Sequence, residues 1–205
     1  YNPYSGEPIS VVLARDLRET LFPEKNGAIP PDSYKPGDKA IPWTQAGPGF
    51  TGKQLEGIRY SQLMPWVNPG AGAFRVITGD FVTTQEGTGI VHIAPTFGDD
   101  DHKVAKKHGV PALTLKDSNG NLCPMVDKTG KFYRLEDLDP GFVSSGMDAS
   151  AYAPFAGRYV KNDYDPHWNN GTAEANGAES LDVELCMWLK KNGSVFRIEK
   201  MVHNY

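Results

Sequence analysis

Apolar residues occur in this chain mostly as short runs that turn-forming residues interrupt. The runs at 9–13, 58–60, 73–77 and 81–84 are rich in apolar, β-branched and aromatic residues. A fifth run, 90–94, is apolar enough to be a buried strand. Short runs of this composition between turn signals are typical of strands joined by hairpins. The pattern therefore predicts a β-rich core, either a barrel or a sandwich.

Three segments carry helical signals. Leucines recur every fourth position up to Pro23, which predicts a helix over 14–22. A second helix is predicted over 99–108, because acidic residues fill its first turn and lysines its last, before a glycine. A third is predicted over 180–192, where apolar residues share one face, with Ser180 as its N-cap.

Polar segments define the remaining organisation. Residues 24–50 are rich in proline and glycine, and 161–180 are polar with several Asn-Gly steps, so both are predicted to be loop insertions. Residues 117–120 and 127–130 have turn sequences. We therefore predict a single domain over 1–205 of the α+β class. Since the chain starts without Met and ends abruptly, we expect it to be a piece of a longer protein.

Composition narrows the function classes. The net charge of −4 argues against a broad basic face for nucleic acid, so any RNA contact is expected to be local. The two cysteines lack Cys-x-x-Cys spacing, which argues against a disulfide framework or a zinc site and favours a reducing cytoplasm. No apolar run approaches the roughly 20 residues that span a bilayer, so no membrane contact is predicted.

Residues 87–102 contain the clearest candidate chemistry, with the sequence Gly-Thr-Gly-Ile-Val-His-Ile-Ala-Pro-Thr-Phe-Gly-Asp-Asp-Asp-His. Glycines permit a tight turn before the apolar run, and a helix start favours carboxylates. This order predicts His92 and one aspartate on opposite walls of a crevice. An ionised aspartate there can bind an ammonium group, and a histidine can orient water or a ribose hydroxyl.

Other interpretations of the same residues stay open. Three aspartates at a helix start commonly serve as caps, a histidine in an apolar strand is commonly a core residue, and Gly-Thr-Gly is commonly a plain turn. Metal binding is a further interpretation, because carboxylates occur at 99–101 and in the run 117–120. Neither run has the alternating ligands of a calcium loop, so no metal site is predicted.

The 87–102 run resembles the editing-domain signature of the isoleucyl-, valyl- and leucyl-tRNA synthetases, a family of class I aminoacyl-tRNA synthetases. His92 followed by Ile-Ala-Pro, and Phe97 followed by Gly, resemble the isoleucyl branch. Further segments are similar to other parts of that domain, namely 52–60, 63–66, 127–132, 155–160 and 203–205. The resemblance thus extends over most of the chain.

The resemblance implies a fold, an activity and site residues. The expected fold is a β-barrel-like editing domain with short flanking helices, and the expected activity is hydrolysis of misacylated valyl-tRNA(Ile). By position, Asp101 matches the aspartate that binds the α-ammonium of the misattached amino acid. His92 matches the histidine that helps to exclude isoleucine, and Thr88 and Gly89 match the pocket floor. Asp99 and Asp100 match no such role and are interpreted as helix caps.

The resemblance also implies partners and cofactors. The partners are the 3′ acceptor end of tRNA(Ile) and the remainder of the synthetase in cis, in the cytoplasm. Editing needs no cofactor, whereas the parent ATP-dependent isoleucine–tRNA ligase is expected to use ATP and Mg²⁺, with zinc as a further candidate. An alternative is a catalytically silent module that binds the acceptor end. It arises because the family's threonine-rich strand, which precedes the segment matching 1–22, is absent from this sequence.

Overall fold

The computed structural model describes residues 1–169 and 180–199. Their contacts divide the chain into two compact units. Unit 1 comprises 1–56, 78–92 and the described residues from 188 on, and unit 2 comprises 57–77 and 93–187. The single domain over 1–205 stays a prediction, and half of the predicted insertion at 161–180, residues 170–179, lies outside the described residues.

The described residues form a mixed α and β structure. The α-helices are α1 (Arg18–Leu21), α2 (Asp99–Lys107), α3 (Pro140–Ser145), α4 (Ala149–Tyr152), α5 (Pro166–Asn169) and α6 (Leu181–Lys191). The strands are β1 (Leu115–Lys116) and β2 (Leu122–Cys123), which pair antiparallel with Leu115 opposite Cys123. Short 3₁₀ turns lie at Arg15–Leu17, Glu24–Ala28, Pro31–Ser33, Gly52–Leu55, Leu135–Asp137 and Asn162–Tyr164. None of the described helices is both long enough and apolar enough to cross a membrane.

The two strongest helix predictions are confirmed within a residue or so of their ends. Helix α2 covers nearly all of 99–108 and α6 nearly all of 180–192. The helix predicted over 14–22 forms only in part, as a 3₁₀ turn followed by the single turn of α1. Helix α6 is fixed to the preceding chain, since Asp182 N–H donates to Val160 O at 2.9 Å.

Most of the predicted strands are wrong for the described residues. No ladder forms over 9–13, 81–84 or 90–94, and the apolar side chains there are half exposed, including Ile90 at 48% and Val91 at 51%. A strand exists only where a second segment satisfies its amides and carbonyls, and that partner is not encoded in the run itself. The predicted runs 58–60 and 73–77 do pair, but only through one β-bridge and its flanking hydrogen bonds.

The sheet of the described residues is therefore small and does not close. It has two strands, with isolated bridges elsewhere in the described chain. The turn between β1 and β2 falls at 117–120, as predicted. Asp117 forms that turn, since its Oδ1 accepts from the N–H groups of Asn119 at 2.9 Å and Asn121 at 2.8 Å. These bonds, that of Asn121 above all, hold the pKa of the Asp117 carboxyl below its usual range.

Unit 2 is built on an aromatic cluster. The ring of Trp66 lies 4.6 Å from that of Phe155, 5.7 Å from Tyr152 and 5.9 Å from Phe132 between centroids. Tyr152 is fully buried, and its hydroxyl donates to Tyr133 O at 2.7 Å. Leu115, Leu138 and Leu181 complete this core, so β1, α4 and the start of α6 pack on one centre.

Unit 1 has a smaller core. The ring of Phe22 packs against those of Trp43 and Phe196, at 6.5 and 5.5 Å between centroids. The indole N–H of Trp43 donates to Pro23 O at 2.9 Å, which fixes the turn after α1. Asn2 is buried and donates to Val195 O at 2.8 Å, so residues from both ends of the described chain meet in this unit.

An ion pair fastens the N-terminal part of α6, which belongs to unit 2. Two nitrogens of the Arg158 guanidinium donate to the Glu184 carboxylate at 2.9 and 2.6 Å, and both side chains are partly buried. The hydrogen bonds from Arg158 hold the pKa of Glu184 below its usual range. A depressed pKa in the folded state stabilises the fold above the unfolded pKa, and this contribution is lost as the pH falls through the folded pKa.

We expect Glu184→Gln to lower the free energy of unfolding by about 1 kcal/mol at pH 7, as for a partly exposed bidentate pair. The deficit should shrink as the pH falls below the ordinary glutamate pKa of 4.5. Urea unfolding at pH 7 and pH 3 measures both values. Glu136→Gln is the control, because the Glu136–Arg134 pair is far more exposed. An equal loss in both variants at pH 7 would contradict this account.

Candidate functional site

The start of helix α2 lies in the segment that the sequence singled out. Gly98 is the N-cap, and the first helical hydrogen bond runs from His102 N–H to Gly98 O at 2.8 Å. Asp99, Asp100 and Asp101 therefore occupy the first turn, where free N–H groups and the helix dipole favour carboxylates. The interpretation of Asp99 and Asp100 as caps is wrong, because Gly98 holds the cap position and no side chain caps the helix.

The three aspartates have different surroundings. Asp101 is half buried, and its Oδ2 accepts from Ala94 N–H at 2.9 Å. Its Oδ1 has no hydrogen-bond partner in the described part of the chain. Asp100 is almost fully exposed and pairs with Lys103 at 3.1 Å. Asp99 is exposed and forms no ion pair within the described ranges. Of the three aspartates, Asp101 is the one whose carboxylate is oriented by a backbone amide, through one of its two oxygens.

The loop before α2 is fastened to the helix at two points. In addition to the Asp101–Ala94 bond, His102 Nδ1 lies 3.3 Å from Pro95 O. Phe97 N–H donates to Ala94 O at 3.0 Å, which closes a turn within the loop. Phe97, the last residue of this turn, has an exposed ring. The loop 94–98 is therefore shaped by its own bonds to α2.

Thr88 and Gly89 form a tight turn in unit 1. The Thr88 carbonyl accepts from Ala14 N–H at 2.8 Å. The Thr88 side-chain hydroxyl accepts from Ile90 N–H at 3.4 Å. Gly89 has φ +75°, and a Cβ built there would lie 2.6 Å from the Ala14 Cβ. Only glycine fits both the left-handed backbone and the close approach. The backbone at this predicted pocket floor is thus closely constrained.

His92 is placed differently from its prediction. It lies in an extended segment without ladder pairing, its side chain is exposed, and it has no hydrogen bond to any other described residue. The predicted environment of a buried strand is wrong, because the segment 90–94 lacks a paired neighbour and its side chains point in part to solvent. An exposed imidazole is accessible to a ligand, in contrast to a histidine packed in a core.

The predicted site residues fall in both units. Thr88, Gly89 and His92 belong to unit 1, and Asp101 belongs to unit 2, with the division between His92 and Ile93. The crevice predicted between His92 and an aspartate stays a prediction. What the structure describes is the local geometry of each residue.

A depression that the sequence did not indicate lies elsewhere in unit 2. It has a volume of about 320 Å³, and its lining includes Asp127, Lys131, Arg134 and Asp137. Arg134 donates to Asp137 at 2.8 and 2.7 Å, and these bonds hold the pKa of the Asp137 carboxyl below its usual range. Asp127 accepts from the amide and hydroxyl of Thr129 in a turn. Arg134 and Asp137 pair with each other, and Asp127 is bonded within its own turn, so the geometry is that of structural turns.

Cys123 is a poor candidate for a catalytic nucleophile. Cys123 is buried in the core, and burial raises the pKa of its thiol. A buried thiol with a raised pKa is poorly nucleophilic, because the thiolate is the reactive form. Both Cys123 and Cys186 are free thiols.

Comparison with known proteins finds relatives whose alignments extend over the whole of this chain. No family model matches it. It is 57% identical over 206 residues to an isoleucine–tRNA ligase of Porphyromonas gingivalis, 51% over 205 residues to that of Bacteroides fragilis, and 42% over 215 residues to that of Cytophaga hutchinsonii. The chain is homologous to a segment of isoleucine–tRNA ligase. The resemblance of this chain to the isoleucyl-tRNA synthetases is thereby confirmed, and the assignment of this segment to editing stays a prediction.

The chain spans a small part of these isoleucine–tRNA ligases. Each alignment covers all of this chain but only 18%, 17% and 17% of the three proteins in turn. Isoleucine–tRNA ligases are aminoacyl-tRNA synthetases, so the chain corresponds to one portion of such an enzyme. Within residues 1–169 and 180–199, no three His, Cys, Asp or Glu side chains are grouped so that they could hold a metal ion.

Proposed function

We propose that this chain is the editing domain of an isoleucine–tRNA ligase and hydrolyses the ester bond of valyl-tRNA(Ile). The observation that carries the proposal is the geometry of Asp101. One carboxylate oxygen is fixed by Ala94 N–H at 2.9 Å, and the other has no partner among the described residues. A carboxylate held in this way can accept a hydrogen bond from the α-ammonium of a misattached amino acid.

The limited selectivity of a hydrophobic binding pocket explains why such a domain is needed. A hydrophobic pocket rejects a substrate one methylene smaller by only about 1–3 kcal/mol, a limit established on synthetases of this very kind. Valine is one methylene smaller than isoleucine, so a single binding step leaves valyl-tRNA(Ile) as a recurrent product. A second site that admits valine and excludes isoleucine removes it.

The proposal gives each site residue its own role. Asp101 binds the substrate ammonium, and His92, with its accessible imidazole, helps to exclude isoleucine and to place the substrate. Thr88 and Gly89 form the floor beneath the amino acid. The ester of an aminoacyl-tRNA is already activated, so orienting a water molecule against it can suffice without a protein nucleophile. The buried thiol of Cys123 is consistent with a mechanism of that kind.

Further parts of the proposal concern the fold and the partners. The barrel-like fold implied by the family requires sheet pairing beyond β1, β2 and the isolated bridges. The partners are the acceptor end of tRNA(Ile) and the remainder of the ligase in cis, in the cytoplasm. ATP, Mg²⁺ and the candidate zinc belong to that remainder, and editing itself uses none of them.

The second candidate function is a module that binds the tRNA acceptor end without hydrolysing it. The observation that favours it is that 90–94, the segment of the predicted site residue His92, is half exposed and forms no strand ladder. A substrate pocket lined by such a segment has fewer fixed groups to orient water. The two functions differ in whether ester hydrolysis occurs.

A chimera separates the two functions. This chain replaces the equivalent segment of the Porphyromonas gingivalis ligase, and deacylation of valyl- and isoleucyl-tRNA(Ile) is measured beside the same ligase with the segment deleted. We expect the chimera to hydrolyse the valyl ester about 100-fold faster than the isoleucyl ester, on the order that a steric pocket can supply. Hydrolysis of neither ester, with tRNA binding retained, would leave only the binding module. Equal rates on both esters would refute selective editing.

A further inference from the structure

Two arginines lie directly opposite each other on a hairpin of unit 2. Arg59 and Arg75 form an antiparallel bridge, flanked by the bonds Val76 N–H to Ile58 O at 2.8 Å and Tyr60 N–H to Phe74 O at 3.0 Å. Residues opposite each other in such a pair place their side chains on the same face of the hairpin. Two like charges in that position destabilise the pair unless an anion compensates them.

The structure supplies only neutral partners for these arginines. Arg59 donates to Ala71 O at 2.9 Å and Ala73 O at 3.4 Å, and Arg75 donates to Gly72 O at 3.1 Å. The two guanidinium groups thus gather around three consecutive carbonyls. Neither has a carboxylate within ion-pair distance among the described residues. Carbonyls orient a guanidinium but do not neutralise it, so both positive charges persist at this surface.

The hairpin is joined to the C-terminal end of helix α2. Arg75 also donates to His108 O, the carbonyl of the residue that ends the helix. Gly72 packs so closely on this end that an added Cβ would lie 2.9 Å from Gly109 O. The last turn of α2 carries Lys106 and Lys107, which are exposed and form no ion pair with any described residue.

These contacts assemble a cationic surface, which we define as Arg59, Arg75, Lys106 and Lys107. Lysines at a helix C-terminus are favourable for the helix dipole, and an arginine can bond the last carbonyl. That stabilising role accounts for Arg75 and the two lysines. It does not account for Arg59, which lies opposite another arginine and whose side-chain hydrogen bonds in the described chain go to the loop carbonyls of Ala71 and Ala73.

Backbone strain lies at the same place. Phe74, between the loop carbonyls and Arg75, has φ +53° and is the one residue other than glycine in the left-handed region among the described residues. A bulky side chain in that conformation is energetically unfavourable, because its Cβ lies too close to the following carbonyl oxygen. Strain of this kind persists where surrounding structure fixes a functional geometry.

We propose that this cationic surface binds the phosphate backbone of tRNA. The inference deepens the proposed editing function, on which it rests for the identity of the polyanion. Guanidinium groups match phosphate geometry bidentately, and lysines add point charges. In a chain of net charge −4, a local cluster of four unneutralised cations is where a polyanion is bound. The bound polyanion also compensates the repulsion between Arg59 and Arg75.

The test measures binding of a tRNA(Ile) transcript that carries no amino acid to the full 205-residue chain as a function of salt concentration. The double variant Lys106→Gln/Lys107→Gln removes two exposed charges that form no ion pair with a described residue, and its structural effect is limited to their interaction with the helix dipole. We expect affinity to fall on the order of tenfold and the slope of log K against log salt to fall by about 2. Arg59→Gln should lower the slope by about 1. Thermal unfolding verifies that each variant is folded.

Lys103→Gln is the matched control, because Lys103 lies on the same helix but is paired with Asp100. We expect it to leave the salt slope unchanged. Absence of tRNA binding by the unmodified chain would overturn the proposal. So would an unchanged slope in the double variant, or binding to phosphatidylserine vesicles in preference to tRNA. The binding assay does not require deacylation. If the chimera fails to deacylate valyl-tRNA(Ile) but the salt slope of tRNA binding still falls in the lysine variant, the editing function alone is refuted.

Discussion

Replacing Asp101 by asparagine is expected to reduce deacylation of valyl-tRNA(Ile) by the chimeric ligase by about 10- to 150-fold in kcat/KM. This range corresponds to the 1.5–3 kcal/mol that a hydrogen bond to a charged group typically contributes. Asparagine keeps an oxygen that can accept from Ala94 N–H, as Asp101 Oδ2 does at 2.9 Å. The variant therefore removes the negative charge while it preserves the bond that shapes the loop before α2.

Two further variants separate the binding role of Asp101 from its structural role. Asp101→Ala removes both the charge and the bond to Ala94, so it should lose activity and also lower the melting temperature. Asp100→Asn removes an exposed charge on the same turn, paired only with Lys103, and should retain full activity. Full activity of Asp101→Asn at an unchanged melting temperature would show that Asp101 is a structural residue of the loop. The ammonium contact would then lie elsewhere.

Truncating Trp66 to alanine is expected to lower the free energy of unfolding by about 3–5 kcal/mol, the range for large aromatic residues in a packed core. Trp66 is buried and its ring contacts those of Phe132, Tyr152 and Phe155. Alanine leaves a cavity at the centre of these rings and removes their edge contacts. Since domains are typically stable by only about 5–15 kcal/mol, a loss of this size is a large fraction of the stability of a domain.

Urea unfolding followed by circular dichroism measures this loss. Trp188→Ala is the matched control, because it makes the same change at a side chain that is 38% exposed on helix α6. We expect its effect to stay within about 1 kcal/mol, as is usual for substitutions near the surface. Similar urea midpoints for the two variants would contradict the assignment of the unit 2 core to the Trp66 cluster.

The sequence predicted those elements whose signals are local. Helix α2 has its acidic first turn, its basic last turn and its terminating Gly109 within one short segment, and it forms nearly as predicted. The turn at 117–120 depends on the side chain of Asp117 bonding to its own neighbours. The family, too, was evident from one contiguous run, 87–102, and relatives along the whole chain confirm it.

Strands were predicted poorly for the opposite reason. Residues 9–13 and 90–94 have β-branched composition, yet neither forms a ladder in the described structure. A strand requires a partner whose register and distance are set by the rest of the fold, and no property of the run itself supplies one. The Arg59–Arg75 bridge illustrates the same limit, because both runs were predicted as strands but the composition of neither specifies the register that places two arginines opposite each other.

The acidic run at 99–101 separates most clearly what the sequence determined from what the tertiary structure decided. The sequence alone determined that three carboxylates lie at a helix start, since the helix dipole and the following residues favour them there. It could not rank them by physical chemistry, because adjacent aspartates have the same intrinsic properties. Only the folded loop distinguishes Asp101, because it brings the Ala94 amide to 2.9 Å from one carboxylate oxygen. That distance depends on a turn that forms between the two residues, and turn geometry arises from the packed chain.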